Sequence, residues 1–326
     1  MKLTQWLKKR VANTADAAFA DPVNLPILSE QAIHQLADEI AAVASRPITN
    51  PKASEAQKQG EQASRYLGSG MEYEESRRYQ PGDEVRRLNW RLMARTGQAY
   101  TKLFQEERQE SWTVILDQRA SMRFGTQSQL KVTQAMRVAG FFAWQAAQAH
   151  LPLAAIALGD TVRTSAIFEG QSTYAQFMAF ASVPCPPIED KDLPQLEDEL
   201  LDCQHRLKAG DRLLIISDFQ DLTQRALQLL AALQSKVMVK AVIIYDPVEK
   251  KLPALSGIAL QSLNGGVKFD SLTAQQQQAY QVWAEKYYAE KQQNLANTGV
   301  WVVTLSTTES LSQFNLRLMA EASYGG

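Results

Sequence analysis

From Trp112 onward the chain alternates short apolar runs with helical stretches, and this rhythm constrains the fold more than any other feature. WTVILD, DRLLIISDF, KVMVKAVIIY and VWVVTLS are apolar runs of strand length, without the polar alternation of a strand that has one wet face. Between them, QLKVTQAMRVAGFFAWQAAQAH, STYAQFMAFAS, LPQLEDELLDCQHRL, LTQRALQLLAAL and residues 274–295 read as helices, and a last helix is expected from about Thr308 to Ala322. LPLAAIAL and TVRTSAIF read as a strand pair turning at Gly159–Asp160, and residues 258–270 as a small hairpin turning at Asn264–Gly265. The alternation predicts an α/β fold, a doubly wound, mostly parallel sheet with helices on both faces.

Sheets of this kind bind ligands outside the C-terminal ends of their strands, where the strand order reverses. In a 3-2-1-4-5-6 order that point lies between the first and fourth strands, which end here at Asp117 and Asp218. The loop after Asp117 reads DQRASMR. An acid-x-hydroxyl-x-hydroxyl spacing at a strand end suits a hard divalent cation, but Arg119 stands where the first hydroxyl would be, and Ser121 supplies only the second. Two carboxylates at a partly buried switch point need a counter-charge. An arginine is permanently protonated and can bridge carboxylates with its planar fork, so Arg119 is expected to reach Asp218 or Asp117 in place of the cation. The competing reading keeps Mg²⁺ on Asp117, Ser121 and Asp218, with Arg119 turned outward.

Other chemistries find little support. The sequence has no GxxxxGK[ST], GxSxG or HExxH pattern, and the loop after Asp117 has one glycine, too few for a phosphate cradle. Two cysteines (Cys185, Cys203) and three scattered histidines (His34, His150, His205) exclude a disulfide scaffold and argue against a zinc site. A net charge of −1 gives no global field toward nucleic acid or an anionic membrane. Residues 77–108 do interleave basic side chains with Tyr79, Trp90, Tyr100 and Phe104, a pattern that can bind single strands. Interspersed acids such as Asp83, Glu84 and Glu106 make internal ion pairing the simpler expectation.

Ahead of the α/β region, residues 28–45 carry a helical apolar stripe, and residues 46–64 read as a linker. Residues 67–111 read as short strands and turns, divided here as a 1–60 helical segment, a 61–110 β-rich extension and the 111–326 domain. Asp83 is expected to pair with Arg86 or Arg87, and Trp90 to be a buried anchor that docks the extension. No run approaches a membrane span, so a soluble cytoplasmic protein is expected, although Leu3, Trp6, Leu7 and Val11 beside Lys8, Lys9 and Arg10 could touch a membrane.

RRYQPGDEVRRLNWRLMARTGQAYTKLFQEE, followed by VILDQRASM and IISDF, resembles the bacterial domain-of-unknown-function family 58, across about residues 65–305. The match falls on Tyr79, Gly82, Asp83, Arg86, Trp90, Ala94, Arg95, Thr96, Lys102, Phe104 and Glu106, with Arg77 or Arg78. The resemblance implies a von Willebrand factor A-like, Rossmann-like domain with an N-terminal helical and β-rich extension. It implies a protein-interaction role beside MoxR-type AAA+ ATPases and other von Willebrand A proteins and carries over no established catalytic activity; from the charge balance, no nucleic acid is expected as a partner. It also implies a degenerate metal-ion-dependent adhesion site, in which Asp117, Ser121 and Asp218 match and Arg119 does not. Arg123 and Asp221 are then the expected partner-facing charges at the strand ends. Two further readings stand beside it, a Mg²⁺-dependent binding domain and an enzyme on the same fold.

Overall fold

The structure, a computed structural model, describes residues 27–44, 72–81, 83, 85–105, 110–184, 193–252 and 273–322. Two compact units divide the chain, one of residues 1–45 with 110–326, the other Arg46–Gln109. The expected hairpin at 258–270, the segment 3–11, Gly82 and Cys185 lie outside the described residues.

In the larger unit a six-stranded sheet is built from β3 (Trp112–Asp117), β4 (Leu153–Leu158), β5 (Val162–Thr164), β6 (Arg212–Ser217), β7 (Met238–Tyr245) and β8 (Trp301–Ser306). Their order is β5-β4-β3-β6-β7-β8, and only the short edge strand β5 runs antiparallel. This is the doubly wound order read from the sequence, with the reversal between β3 and β6. Alternate residues of each strand feed two cores, as a period of two requires. Val114 and Leu116 pack with Leu214, Ile216, Val242 and Ile244 on one face, and Ile115 with Leu213, Ile215 and Ile243 on the other.

The first face is covered by α1 (Glu30–Ala44), α3 (Lys131–Gln148), α4 (Thr173–Ala181) and α9 (Leu311–Ala322), where Phe141, Phe142 and Phe314 meet edge to face. The second face holds α5 (Leu196–Arg206), α6 (Gln224–Gln234) and part of α8 (Ala274–Ala296). Leu36, Ile40 and Val43 of α1 are buried in the first core, and Arg137 of α3 grips Glu39 with two hydrogen bonds. A four-residue helix, α7 (Pro247–Lys250), follows β7 and was not read from the sequence.

The smaller unit pairs β1 (Glu72–Arg78) with β2 (Tyr100–Gln105) antiparallel, and α2 (Trp90–Thr96) lies between them. Where the sequence read only strands and turns, α2 is helical because both ends are capped. The Asn89 side chain accepts from Leu92 N, and Gly97 closes the helix at φ +70°, a conformation that costs other residues strain. Asp83 folds the preceding turn back onto the hairpin: it accepts from Arg77 Nη2 at 2.6 Å, Gln80 N at 3.0 Å and Thr101 Oγ1 at 3.0 Å. Among the described side chains its partner is Arg77, which the hairpin register sets opposite Thr101, and not Arg86; the Arg87 side chain lies outside the described residues. Arg86 is exposed. Trp90 is 60% exposed, so the expected buried anchor is instead an outward-facing ring at the start of α2.

Candidate functional site

The reversal point brings Asp117 and Asp218 to the ends of adjacent strands, both buried. Each meets a separate built-in cation. Arg119 folds back onto the strand it follows: its Nε donates to Asp117 Oδ1 at 3.0 Å and its Nη2 to Asp117 Oδ2 at 2.7 Å. The same guanidinium reaches the β6–α6 loop, donating from Nη2 to Asp221 Oδ1 at 2.9 Å and from Nη1 to Asp221 Oδ2. It also donates to the Pro194 carbonyl at 3.2 Å, just ahead of α5. One side chain thus ties three segments together.

Asp218 is held by a residue the sequence reading did not name. Lys131, the first residue of α3, is fully buried and donates to Asp218 Oδ2 at 2.8 Å and to Glu249 Oε1 at 2.7 Å. Lys291 of α8, also buried, donates to the Asp218 carbonyl at 2.8 Å between the rings of Tyr287 and Tyr288. The expectation that Arg119 satisfies Asp117 is met; its other carboxylate is Asp221, and Asp218 belongs to Lys131.

The remaining lone pairs are also used. Ser217 Oγ donates to Asp117 Oδ2 at 2.6 Å and accepts from Phe219 N at 2.9 Å, and Phe219 sits at φ +50°. Gln220 N donates to Asp218 Oδ1, Leu196 N to Asp221 Oδ2, and Asp246 N to Glu249 Oε2. Every carboxylate oxygen of Asp117, Asp218, Asp221 and Glu249 therefore accepts at least one hydrogen bond. Ser121, expected to complete a metal loop, has no side-chain hydrogen bond among the described residues, because the backbone there turns into a short 3₁₀ segment, Ala120–Arg123. Arg123 and Asp221, expected to face a partner, are engaged within the chain: Arg123 pairs with Asp160 at 3.1 Å, and Asp221 with Arg119. The loop's single glycine, Gly125, closes its turn, since a Cβ there would lie 2.4 Å from the Gln129 carbonyl oxygen.

Electrostatics follow the geometry. Burial pushes the Asp117 carboxyl upward, and the Arg119 hydrogen bonds and charge oppose that push. Burial also works against Asp221, but Arg119 outweighs it and holds that carboxyl below its usual value. Lys131 is disfavoured by burial and yet raised overall, through Asp218 and Glu249. Lys291 is pushed down to about 8 by burial, despite Asp218 and Glu249.

A second buried acid anchors the neighbouring strand ends. Asp246 accepts from Thr126 N at 2.9 Å and Thr307 Oγ1 at 3.0 Å, and caps α7 through Val248 N. As they stand, these residues do not fit a divalent cation. The oxygens it would need are taken by Arg119 and Lys131, and among the described residues no cluster of three metal-ligating side chains forms.

The fold and site define a class: a doubly wound, mostly parallel α/β protein whose switch-point carboxylates are paired with its own cations. The chain belongs to the family described as Protein of unknown function DUF58, whose model matches residues 75–293. It is 31% identical over 204 residues to uncharacterized proteins of Mycobacterium bovis and Mycobacterium tuberculosis, a match covering 61% of this chain and 63% of theirs. The matched region thus spans less than two thirds of those relatives. Among solved structures it is similar to the conserved hypothetical protein BatB from Bacteroides thetaiotaomicron, with a TM-score of 0.42, 15% identity and coverage of 65% of this chain and 99% of that one. An aerotolerance-related membrane protein from Bacteroides fragilis is similar at a TM-score of 0.40 and 12% identity, covering 65% of this chain and 99% of that one. No helix among the described residues is long and apolar enough to cross a membrane.

Proposed function

We propose that this chain is a non-enzymatic protein-interaction module of von Willebrand A-like type, acting through the C-terminal edge of its sheet. One observation carries the reading: every carboxylate oxygen at the switch point is already hydrogen-bonded, and Arg119 and Lys131 supply the positive charge. A general acid or base must exchange protons with a substrate, and a metal-dependent adhesion site must leave carboxylates for the ion. A fully satisfied cluster does neither and instead makes the strand-end loops a rigid platform. Phe124, 41% exposed, and Leu130, 40% exposed, present apolar surface on the loop after β3. Loops on a rigid scaffold are where partner recognition concentrates.

The partner implied by the resemblance is a MoxR-type AAA+ ATPase, in the company of other von Willebrand A proteins, in the bacterial cytoplasm or peripheral to the membrane through residues 3–11. The test is binding of a purified MoxR-type ATPase to the full chain, with and without Mg²⁺. Leu130→Asp and Gln220→Arg lie outside the charge cluster's side-chain contacts and should weaken binding while the unfolding midpoint holds. Equal binding by both variants would place the surface elsewhere. Calorimetric Mg²⁺ affinity tighter than millimolar would favour the metal-dependent reading through Asp117, Ser121 and Asp218.

A further inference from the structure

The tip of the smaller unit carries a charge that its own fold leaves unused. Residues 76–101 contain six arginines, no lysine and two carboxylates, although the whole chain has a net charge of −1. Internal pairing was the expectation for these arginines. Among the described residues only Arg77 meets a carboxylate, that of Asp83; Arg78, Arg86, Arg91 and Arg95 are exposed and form no ion pair. Outside this stretch, Glu72, Glu74 and Glu75 belong to the first half of β1, at the hairpin end where Glu72 lies opposite Gln105.

The apolar side chains are arranged to match. On α2, Trp90, Met93 and Ala94 fall on one stripe at helical spacing, Arg91 and Arg95 flank it one turn apart, and Leu92 is half-buried. Trp90 is 60% exposed, Met93 37%, and Val85 on the preceding turn 59%. Two arginines one turn apart with no acid between them mildly destabilise a helix, and an incoming carboxylate removes that cost. An exposed Trp ringed by arginines is also the composition that dominates protein–protein binding energies.

We propose that this tip is a docking surface for an acidic polypeptide segment, which lays carboxylates against Arg91 and Arg95 and an apolar side chain against Trp90. Arginine forks match carboxylates in a bidentate way. A single-stranded nucleic acid would call for several stacking rings, and here Tyr79 and Tyr100 are half-buried, which among the described side chains leaves Trp90 as the exposed ring. An anionic membrane attracts through extended positive charge, and this chain is slightly negative overall. The proposal rests on the interaction-module reading only in taking the partner to be a protein.

The experiment uses the full chain and a short labelled peptide of alternating glutamate and leucine, with an oligo-dT strand and phosphatidylserine vesicles as parallel probes. Peptide binding is expected, weakening with salt, falling about tenfold or more in the double variant Arg91→Glu/Arg95→Glu and by a similar factor in Trp90→Ala. Far-UV circular dichroism and the unfolding midpoint should hold, because these side chains have no ion-pair partners among the described residues. Absence of peptide binding, binding that survives the double reversal, or tighter binding to oligo-dT or vesicles would each overturn the proposal. No ATPase is involved, so these results are independent of the strand-edge test.

Discussion

The switch point of the α/β unit and the tip of the hairpin unit are both rich in charge, and they use it in opposite directions. Arg119 and Lys131 are buried and each is shared between two carboxylates; Arg91 and Arg95 are exposed, with none among the described residues. A buried charge left without its partner costs several kcal/mol, whereas an exposed charge is solvated and costs almost nothing. Charge at the first place therefore stabilises the fold, and charge at the second is available to something else. Substitutions should separate the two regions by size of effect.

The largest effect is expected at Lys131. Lys131→Met keeps the apolar stem but strands Asp218 and Glu249 together beside Asp117. A loss of about 3–5 kcal/mol in urea unfolding is expected. A loss under about 1 kcal/mol, the range of surface pairs, would show that this pair is not a structural necessity and would weaken the contrast.

Next comes Arg119→Ser, which adds beside Ser121 a second hydroxyl at the spacing a divalent-cation loop would use. Without divalent ions it should destabilise by about 3 kcal/mol, because Asp117 and Asp221 both lose their partner. Millimolar Mg²⁺ should recover part of that loss in the variant and leave the parent unchanged. Equal Mg²⁺ responses in both would mean that the guanidinium does not occupy the cation's place.

Much of this site was legible in the sequence, for physical reasons. Apolar runs of strand length placed Asp117 and Asp218 at adjacent strand ends, and the arginine two residues after Asp117 pointed to a counter-charge built into the loop. Lys131 was not legible as a partner, because it lies 87 residues from Asp218 and nothing local joins them. One signal did exist: a lysine at the first position of a helix opposes the helix dipole and calls for a compensating acid. Asp221 as the second carboxylate was hidden in the same way, 102 residues from Arg119. In the hairpin unit the error ran the other way. Alternating acids and bases in the sequence suggested mutual pairing, but among the described residues only Arg77 finds a carboxylate, and a large aromatic does not have to be buried on a short helix that buries none of its side chains.

Smaller effects should appear with pH. Lys291 is held at about 8 in the folded chain against 10.5 for a free lysine, so between those values the unfolded chain binds more protons and stability rises with pH. Relative to Lys291→Met, the parent should gain stability from pH 8 to 10, by a fraction of the about 3 kcal/mol that such a shift represents. At the acid end the sign reverses. Asp221, with Arg119 outweighing burial, and Asp246, with its Thr126 and Thr307 contacts outweighing burial, are both held below 3.8, so their contributions are present above that value and fade as pH falls below it. A flat difference between parent and Lys291→Met across the alkaline range would mean that the ammonium is better solvated than its burial implies.

The smallest effect is expected where the charge density is most conspicuous. Arg91→Ala and Arg95→Ala remove exposed side chains that make no ion pair among the described residues and put a better helix former in α2. Each should change unfolding free energy by less than about 0.5 kcal/mol, in either direction. Pairing them in one chain should add nothing beyond the sum, apart from the relief of their mutual repulsion one turn apart. A loss above about 1 kcal/mol in either variant would show that the arginine is held within the folded chain after all, and its charge could no longer be counted as free for a partner. Stability that holds while acidic-peptide binding falls would fix the contrast at its sharpest, with one set of charges holding the fold together and the other held ready at its surface.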